Sequence, residues 1–312
     1  MKRRTFISLG ALFLFGCARQ PAPTSQVLLS SNPPVAATPP VAPGGRPPAR
    51  QTPRPRVEDG QLQRDLDAFL KQQRGNYGVA IRDLDGPIAA NFEADDRFPL
   101  GSLFKLPLMA EVMRQCRLGK LTLAKTIQTL PDYDFGEPQG GVPPGTRLSI
   151  EDALAAMISV SSNAAALALI DAVGADQLAA APRRLGMAGT AIDVQQTGAP
   201  GHYEVDARGN ARDVVDVLVK LDREQLVGPE QDRKMIDLLL NQKIDDRIPV
   251  LLPPTVPIAH KTADLDGFTH DAGIVYLPGR PFAIAVLAQG LNPTDGKAAV
   301  SEIARIAYAY FA

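Results

Sequence analysis

The chain has 312 residues, 45% of them hydrophobic and 21% charged, so it is long and apolar enough to bury a sizeable core, which excludes disorder throughout. Its 33 basic and 34 acidic residues leave a formal charge of -1, which excludes nucleic-acid binding by bulk charge. Two cysteines, Cys17 and Cys116, cannot build a disulfide framework, and three histidines without close His/Cys spacing make no zinc pattern, so no metal or cofactor is expected.

The first residues read as an export signal. Lys2, Arg3 and Arg4 precede an apolar stretch from Phe6 to Phe15, too short to span a bilayer as a helix but suited to a signal-peptide core. It closes on Leu14-Phe15-Gly16-Cys17, which resembles the bacterial lipobox. That resemblance implies a signal peptide over 1–16, lipidation of Cys17, and an exported protein anchored by acyl chains at the periplasmic or extracytoplasmic face of the envelope. An ordinary secretory signal that contains a cysteine is the alternative. Residues 17–57 then read as a tether: positions 21–57 carry 11 of the 28 prolines, four arginines (Arg46, Arg50, Arg54, Arg56) and no acid, a composition that favours an extended, solvated spacer.

The remainder, 58–312, reads as the folded domain. Leu62, Leu66, Phe69 and Leu70 fall at helical spacing, and Tyr77–Ile81 and Ile88–Phe92 flank an Asp85-Gly86 turn as in a hairpin. The middle is predicted helical: Ser149 with Asp152 makes a capping pattern before Ala153–Ile158, Asn163 precedes an Ala/Leu run to Ile170, and Asn210 precedes Val214–Leu221. Strand character returns in Val256–Thr262, Ala272–Leu277 and Phe282–Ala288, and a helix is predicted over about 296–310. Strands at both ends around a helical middle predict an α+β domain. Residues 58–100 and about 222–312 would form the sheet part, and about 101–221 the helical part.

Chemistry concentrates in three short motifs. Ser102-Leu103-Phe104-Lys105 puts a hydroxyl and an amine on one helix face, and a lysine freed of its proton by burial and nearby cations can serve as the base a serine nucleophile needs. No Gly-x-Ser-x-Gly is present to favour a Ser-His-Asp hydrolase. Ser161-Ser162-Asn163 offers a second hydroxyl and a carboxamide, although Ser30-Ser31-Asn32 in the tether has the same letters. Lys261-Thr262-Ala263 ends a strand-like segment, whereas Lys125-Thr126 falls in a helical or loop region. Read locally, Ser161 and Asn163 are helix caps, Lys261 a solvated strand end, and Cys116 a buried small hydrophobe in the helix after Lys105.

The order and spacing of the three motifs resemble those of the class A β-lactamases and penicillin-binding proteins over about residues 60–312. Phe98-Pro99-Leu100-Gly101 before the serine, Pro144-Gly145-Thr146, Leu185-Gly186-Met187 with Thr190, and Asp271-Ala272-Gly273-Ile274-Val275 extend the match. The resemblance implies an antiparallel five-stranded sheet flanked by the terminal helices, with an inserted all-helical subdomain, and a monomer acting on a β-lactam or peptidoglycan-stem-like substrate. Ser102 becomes the nucleophile, Lys105 its proton acceptor and Ser161 a proton shuttle to the leaving nitrogen. Asn163 would hold the substrate amide, Lys261 and Thr262 beside Ala263 its carboxylate, and the backbone N–H groups of Ser102 and Asp264 the oxyanion.

The sequence also departs from that family. Ser162 stands where relatives usually have Asp, Ala263 where they have Gly, and Ala272 where an arginine usually adds a cation to the carboxylate pocket. In the loop that carries the deacylating glutamate the pattern falls on Gln196, with Pro200 in place of an asparagine; Glu204 is the next carboxylate. A carboxamide does not accept a proton as a carboxylate does, so acylation with slow hydrolysis is expected. A non-hydrolytic penicillin- or peptidoglycan-sensing lipoprotein, or a D,D-carboxypeptidase or esterase, are the alternatives.

Overall fold

The computed structural model describes residues 60–132 and 137–312; the signal at 1–16, Cys17 and the tether through residue 57 lie outside the described residues. Five strands, β1 (Asn76–Asp83), β2 (Ile88–Phe92), β8 (Ile258–Leu265), β9 (Phe268–Val275) and β10 (Phe282–Gln289), form one sheet in the order β2-β1-β10-β9-β8 with antiparallel neighbours. The continuous apolar run of β10 suits the central place, because a strand covered on both faces has no polar side to show. Its residues alternate between two cores. Ile284 and Val286 pack with Leu62 and Leu66 of α1 (Gln61–Leu70) and with Val300 and Ile303 of α9 (Pro293–Phe311), while Ala283, Ala285 and Leu287 face the inserted part.

The inserted part is mainly helical: α2 (Lys105–Arg117), α3 (Ile150–Ser159), α4 (Asn163–Val173), α5 (Ala175–Ala179), α6 (Ala181–Leu185) and α7 (Ala211–Asp222), with α8 (Pro229–Leu240) following. It also carries strands that the expectation of an all-helical insert did not include. β3 (Phe98–Pro99), β6 (Ala191–Gln196) and β7 (Tyr203–Gly209) form a sheet ordered β3-β7-β6, and β4 (Thr126–Gln128) pairs with β5 (Arg147–Ser149). The β6–β7 hairpin turns one face to the core, with Ile192, Val194, Tyr203, Val205 and Ala207, and the other to solvent, with Asp193, Gln195, Glu204 and Asp206, so its strands carry a period-2 pattern. Its inner end fixes the approach to α2: Phe98 pairs with Gly209, and Leu100 N donates to Ala207 O at 2.8 Å.

Behind β8 a buried charged cluster ties the sheet edge to the segment before it. His260 Nδ1 lies 3.0 and 3.1 Å from the two oxygens of fully buried Asp271, and its Nε2 lies 3.2 Å from Asp245 Oδ1. Both ring nitrogens face carboxylates, the pattern of an imidazolium. Burial opposes the charge, but Asp271 and Asp245 outweigh it and lift the His260 pKa from 6.5 to about 9. Asp271 Oδ2 also accepts from Ile248 N at 3.1 Å, which pins the 3₁₀ turn Ile248–Leu251 and, next to it, Arg247.

A raised histidine pKa contributes stability that is complete below pH 6.5 and lost as pH rises through about 9. Lys261, held at about 7, works the other way between pH 7 and 10.5, and that trend is common to wild type and variant. Denaturant unfolding of His260→Gln is therefore expected to show a stability deficit on the order of 1–3 kcal/mol near pH 6 that shrinks towards pH 10. A deficit of constant size across that range would mean that the ring is neutral.

Candidate active site

Ser102 and Lys105 come from one continuous turn: the 3₁₀ segment Gly101–Phe104 runs directly into α2. Gly101 makes the turn possible, since its φ of +49° lies in the left-handed region and its Cα faces the Leu265 and Ala263 side chains, at 3.1 and 3.4 Å from where a Cβ would sit. That contact sets the serine against the end of β8. Lys105 is fully buried, and burial first, then the charge of Lys261, pushes its pKa well below the ordinary lysine value, with Glu137 pulling the other way.

The Lys105 ammonium has three hydrogen-bond partners on the α3–α4 junction. Nζ donates to Ser161 O at 2.6 Å, to Asn163 Oδ1 at 2.8 Å and to Ser161 Oγ at 3.1 Å. Ser161 Oγ in turn donates to Ser102 Oγ at 3.0 Å. Among the described residues, the link from Ser102 to Lys105 therefore runs through the Ser161 hydroxyl. Ser161 reaches both by adopting φ +61°, a conformation that costs a β-carbon residue about 1–2 kcal/mol.

Ser162 is what releases its neighbours for this work. Its buried hydroxyl, not that of Ser161 or the amide of Asn163, caps α4 by accepting from Ala165 N at 3.2 Å, and it also accepts from Val142 N at 3.3 Å. A residue between two site residues thus serves as the helix cap, and the local reading of Ser161 and Asn163 as caps is corrected. Ser149 and Asn210 cap α3 and α7, as their sequence patterns suggest.

Across the cleft, Lys261, Thr262 and Ala263 are buried on β8, and Lys261 Nζ donates to Thr262 O at 2.8 Å. Burial, and behind it Arg247, lowers the Lys261 pKa to about 7 against the pull of Asp271 and Asp264. Arg247 is a residue that the sequence reading missed. It is fully buried, ion-paired with Asp264, and its Nη1 lies 3.2 Å from Asp246 Oδ1, while Nε and Nη1 lack a hydrogen-bond partner. Its charge acts on Lys261 and lowers the pKa of that amine, behind the effect of burial. Nothing in the spacing of Asp245-Asp246-Arg247 marks it; a lone arginine next to an Asp pair reads as surface.

Gln196 and Glu204 are placed otherwise. Both are exposed on the β6–β7 hairpin, Gln196 opposite Tyr203 and Glu204 opposite Gln195, and among the described residues no hydrogen bond joins either to Ser102, Lys105, Ser161 or Asn163. Cys116 is half-buried against the core, with burial raising its thiol pKa. Among the described residues no group of three or more His, Cys, Asp or Glu side chains is placed to hold a metal ion.

Comparison with known proteins places the chain in a family and a fold. A β-lactamase of Streptomyces fradiae is 27% identical over 262 residues, 77% of this chain and 83% of its own length. The β-lactamase regulatory protein BlaB of Streptomyces cacaoi is 24% identical over 301 residues, 78% of this chain and 95% of its own length. Among solved structures, PBP-A superposes with a TM-score of 0.71 at 22% identity, covering 83% of this chain and 99% of that one, and a mutant of PBP-A is described as an acyl-enzyme complex with penicillin G. The profile of the β-lactamase enzyme family matches residues 61–311, nearly the whole described chain, and the chain belongs to that family.

Proposed function

We propose that this protein is a serine hydrolase that β-lactams or D-alanyl-peptide-like donors acylate on Ser102, and that it releases the acyl group slowly. The observation that carries the reading is the relay Ser102 Oγ, Ser161 Oγ, Lys105 Nζ, in which a buried lysine with a depressed pKa stands ready to take a proton. With Lys105 neutral, both hydrogen bonds run the other way, Ser102 Oγ donating to Ser161 Oγ and Ser161 Oγ to Lys105 Nζ, so that as Ser102 Oγ bonds to the carbonyl carbon its proton passes to Ser161, whose own proton moves to Lys105. The tetrahedral oxyanion is received by the backbone N–H groups of Ser102 and Asp264. When the carbon–nitrogen bond breaks, the proton returns through Ser161 to the leaving nitrogen. Asn163 orients the substrate amide, and Lys261, Thr262 and Arg247 take its carboxylate.

Slow release follows from the hairpin. Hydrolysis of the acyl group needs a water that gives up a proton, and neither Gln196 nor Glu204 is hydrogen-bonded to the relay. General-base assistance is typically worth about 10²–10⁴-fold, so its loss leaves an adduct that accumulates. The same feature supports a second reading, a sensing protein that is acylated and does not turn over; a regulatory protein stands among the relatives.

Intact-mass measurement during incubation with penicillin tests both. One equivalent of adduct on Ser102, persisting for minutes, is the expected result, with Lys105→Ala slowing its formation about 100-fold or more. Label on another residue, or full labelling of Ser102→Ala, would overturn the assignment, and rapid multiple turnover would overturn slow release. A lasting adduct with no measurable turnover selects the sensor.

For location we propose a lipoprotein anchored through Cys17 at the extracytoplasmic face of the envelope. No described helix is long and apolar enough to cross a membrane. Cys17→Ser is expected to leave the signal uncut or to release the protein from membranes; normal processing with unchanged membrane fractionation would refute the anchor.

A further inference from the structure

The relay has an acidic neighbour from an unexpected direction. Glu137, in the loop between β4 and β5, turns its carboxylate onto the first turn of α4, where Oε1 accepts from the backbone N–H of Ala164. Ala164 directly follows Asn163, whose side chain holds Lys105 at 2.8 Å, so the carboxylate and the amine are bound to adjacent residues of the first turn of α4. The other oxygen, Oε2, is buried without a hydrogen-bond partner. It lies against Gly141, where a Cβ would stand only 2.1 Å from it, so the loop is shaped around the carboxylate.

A buried carboxylate oxygen without a partner is costly unless positive charge lies near it. Two sources are present. The N-terminus of the 11-residue α4 supplies partial charge, and Lys105 supplies a full one whenever it is protonated. The charged groups that act on Lys105 are Lys261 from β8 and Glu137 from this loop; the Ser161 and Asn163 groups bonded to it from the α3–α4 junction are neutral. Among the described residues, Glu137 is thus the negative charge set against burial and a second lysine.

We propose that Glu137 is the acidic partner of Lys105, a positioning residue whose charge, held across the first turn of α4, stabilises the ammonium that forms when Lys105 takes the Ser102 proton. It supplies from the 137–141 loop the negative charge that the Gln196 hairpin does not bring to the relay. The role in catalysis rests on the acylation reading above. In that step the Ser102 oxygen–carbon bond forms, the proton resides on Lys105 while the oxyanion exists, and it leaves for the nitrogen as the carbon–nitrogen bond breaks. Glu137 exchanges no proton.

Glu137→Gln keeps an oxygen for the Ala164 N–H and removes only the charge, whereas Glu137→Asp keeps the charge and shortens the reach. Lys105 is followed directly by the pH dependence of its side-chain NMR signal in ¹³C-lysine-labelled protein, assigned with Lys105→Arg. In Glu137→Gln its midpoint is expected to fall by about half a pH unit or more, while Glu137→Asp stays close to wild type. The acid limb of the penicillin acylation profile should move to lower pH by the same amount, and the plateau rate should fall about 3- to 10-fold, as for a weaker base. An unchanged Lys105 midpoint in Glu137→Gln overturns the proposal, and so does an equal shift in both variants, which would trace to loop placement and not to charge. If wild-type protein forms no adduct with penicillin, the acylation reading fails, while the midpoint still decides whether Glu137 acts on Lys105.

Discussion

The site depends on one buried amine. Removing an ammonium from water is costly, and three oxygen acceptors delivered by residues 161 and 163, far along the sequence, return only part of that cost at Lys105, whose pKa burial still holds well below the ordinary lysine value. Those acceptors exist in the right place only because α3 ends and α4 begins at that point, with Ser161 forced to a left-handed φ between them. The packing of α2 against α4 and the electrostatics of Lys105 are therefore one constraint. A loosened α3–α4 junction would leave the amine without partners, and a fully solvated amine would be an ordinary protonated lysine.

The far wall of the cleft solves the opposite problem. There, Lys261 and Arg247 are buried side by side, and like charges in a desolvated place repel. Carboxylates behind them hold the arrangement: Asp264 and Asp246 beside Arg247, Asp271 and Asp245 around His260. Asp271 is the hinge of this set, because it bonds both the ring of His260 and the backbone of Ile248, and so links β9, β8 and the turn that carries Arg247. Two cationic groups are thus held inside the fold by the carboxylates around them.

How much of this was legible beforehand follows from the range of each interaction. The outer strands, α1 and α9, and the caps at Ser149 and Asn210 are written in local patterns, and the structure places them there. Ser102 and Lys105 were legible because residues three apart on a helical turn share a face. The β6–β7 hairpin was missed although Ile192 and Val194 on one strand and Tyr203, Val205 and Ala207 on the other alternate with polar residues, because the stretch was matched to a family loop and not read for its own period, and with it went the setting of Gln196 and Glu204. Ser162 looked like a mild departure from a family pattern, yet its hydroxyl caps α4 and frees the residues on both sides of it. Arg247 and Glu137 were illegible for a different reason: each acts through a contact 17 or more residues away, and no spacing rule connects Arg247 to Asp264 or Glu137 to Ala164.

The two halves of the proposed reaction draw on unequal resources. Bond formation at Ser102, as proposed, needs a base, an oxyanion site and a grip on the substrate carboxylate, and the residues proposed for them sit on α2 and the turn before it, at the α3–α4 junction and on β8. Release needs a water and a base of its own on the hairpin side, where the available side chains are an exposed carboxamide and an exposed carboxylate outside the relay. On the proposed reading, a site built in this way would capture an acyl group faster than it releases it. Charge around Lys105 then matters twice, since the same amine would have to activate water if the adduct is ever to leave. A base whose protonated form is stabilised from the 137–141 loop is better suited to that second task than one destabilised by Lys261 alone, because it holds a proton more firmly and abstracts it more readily.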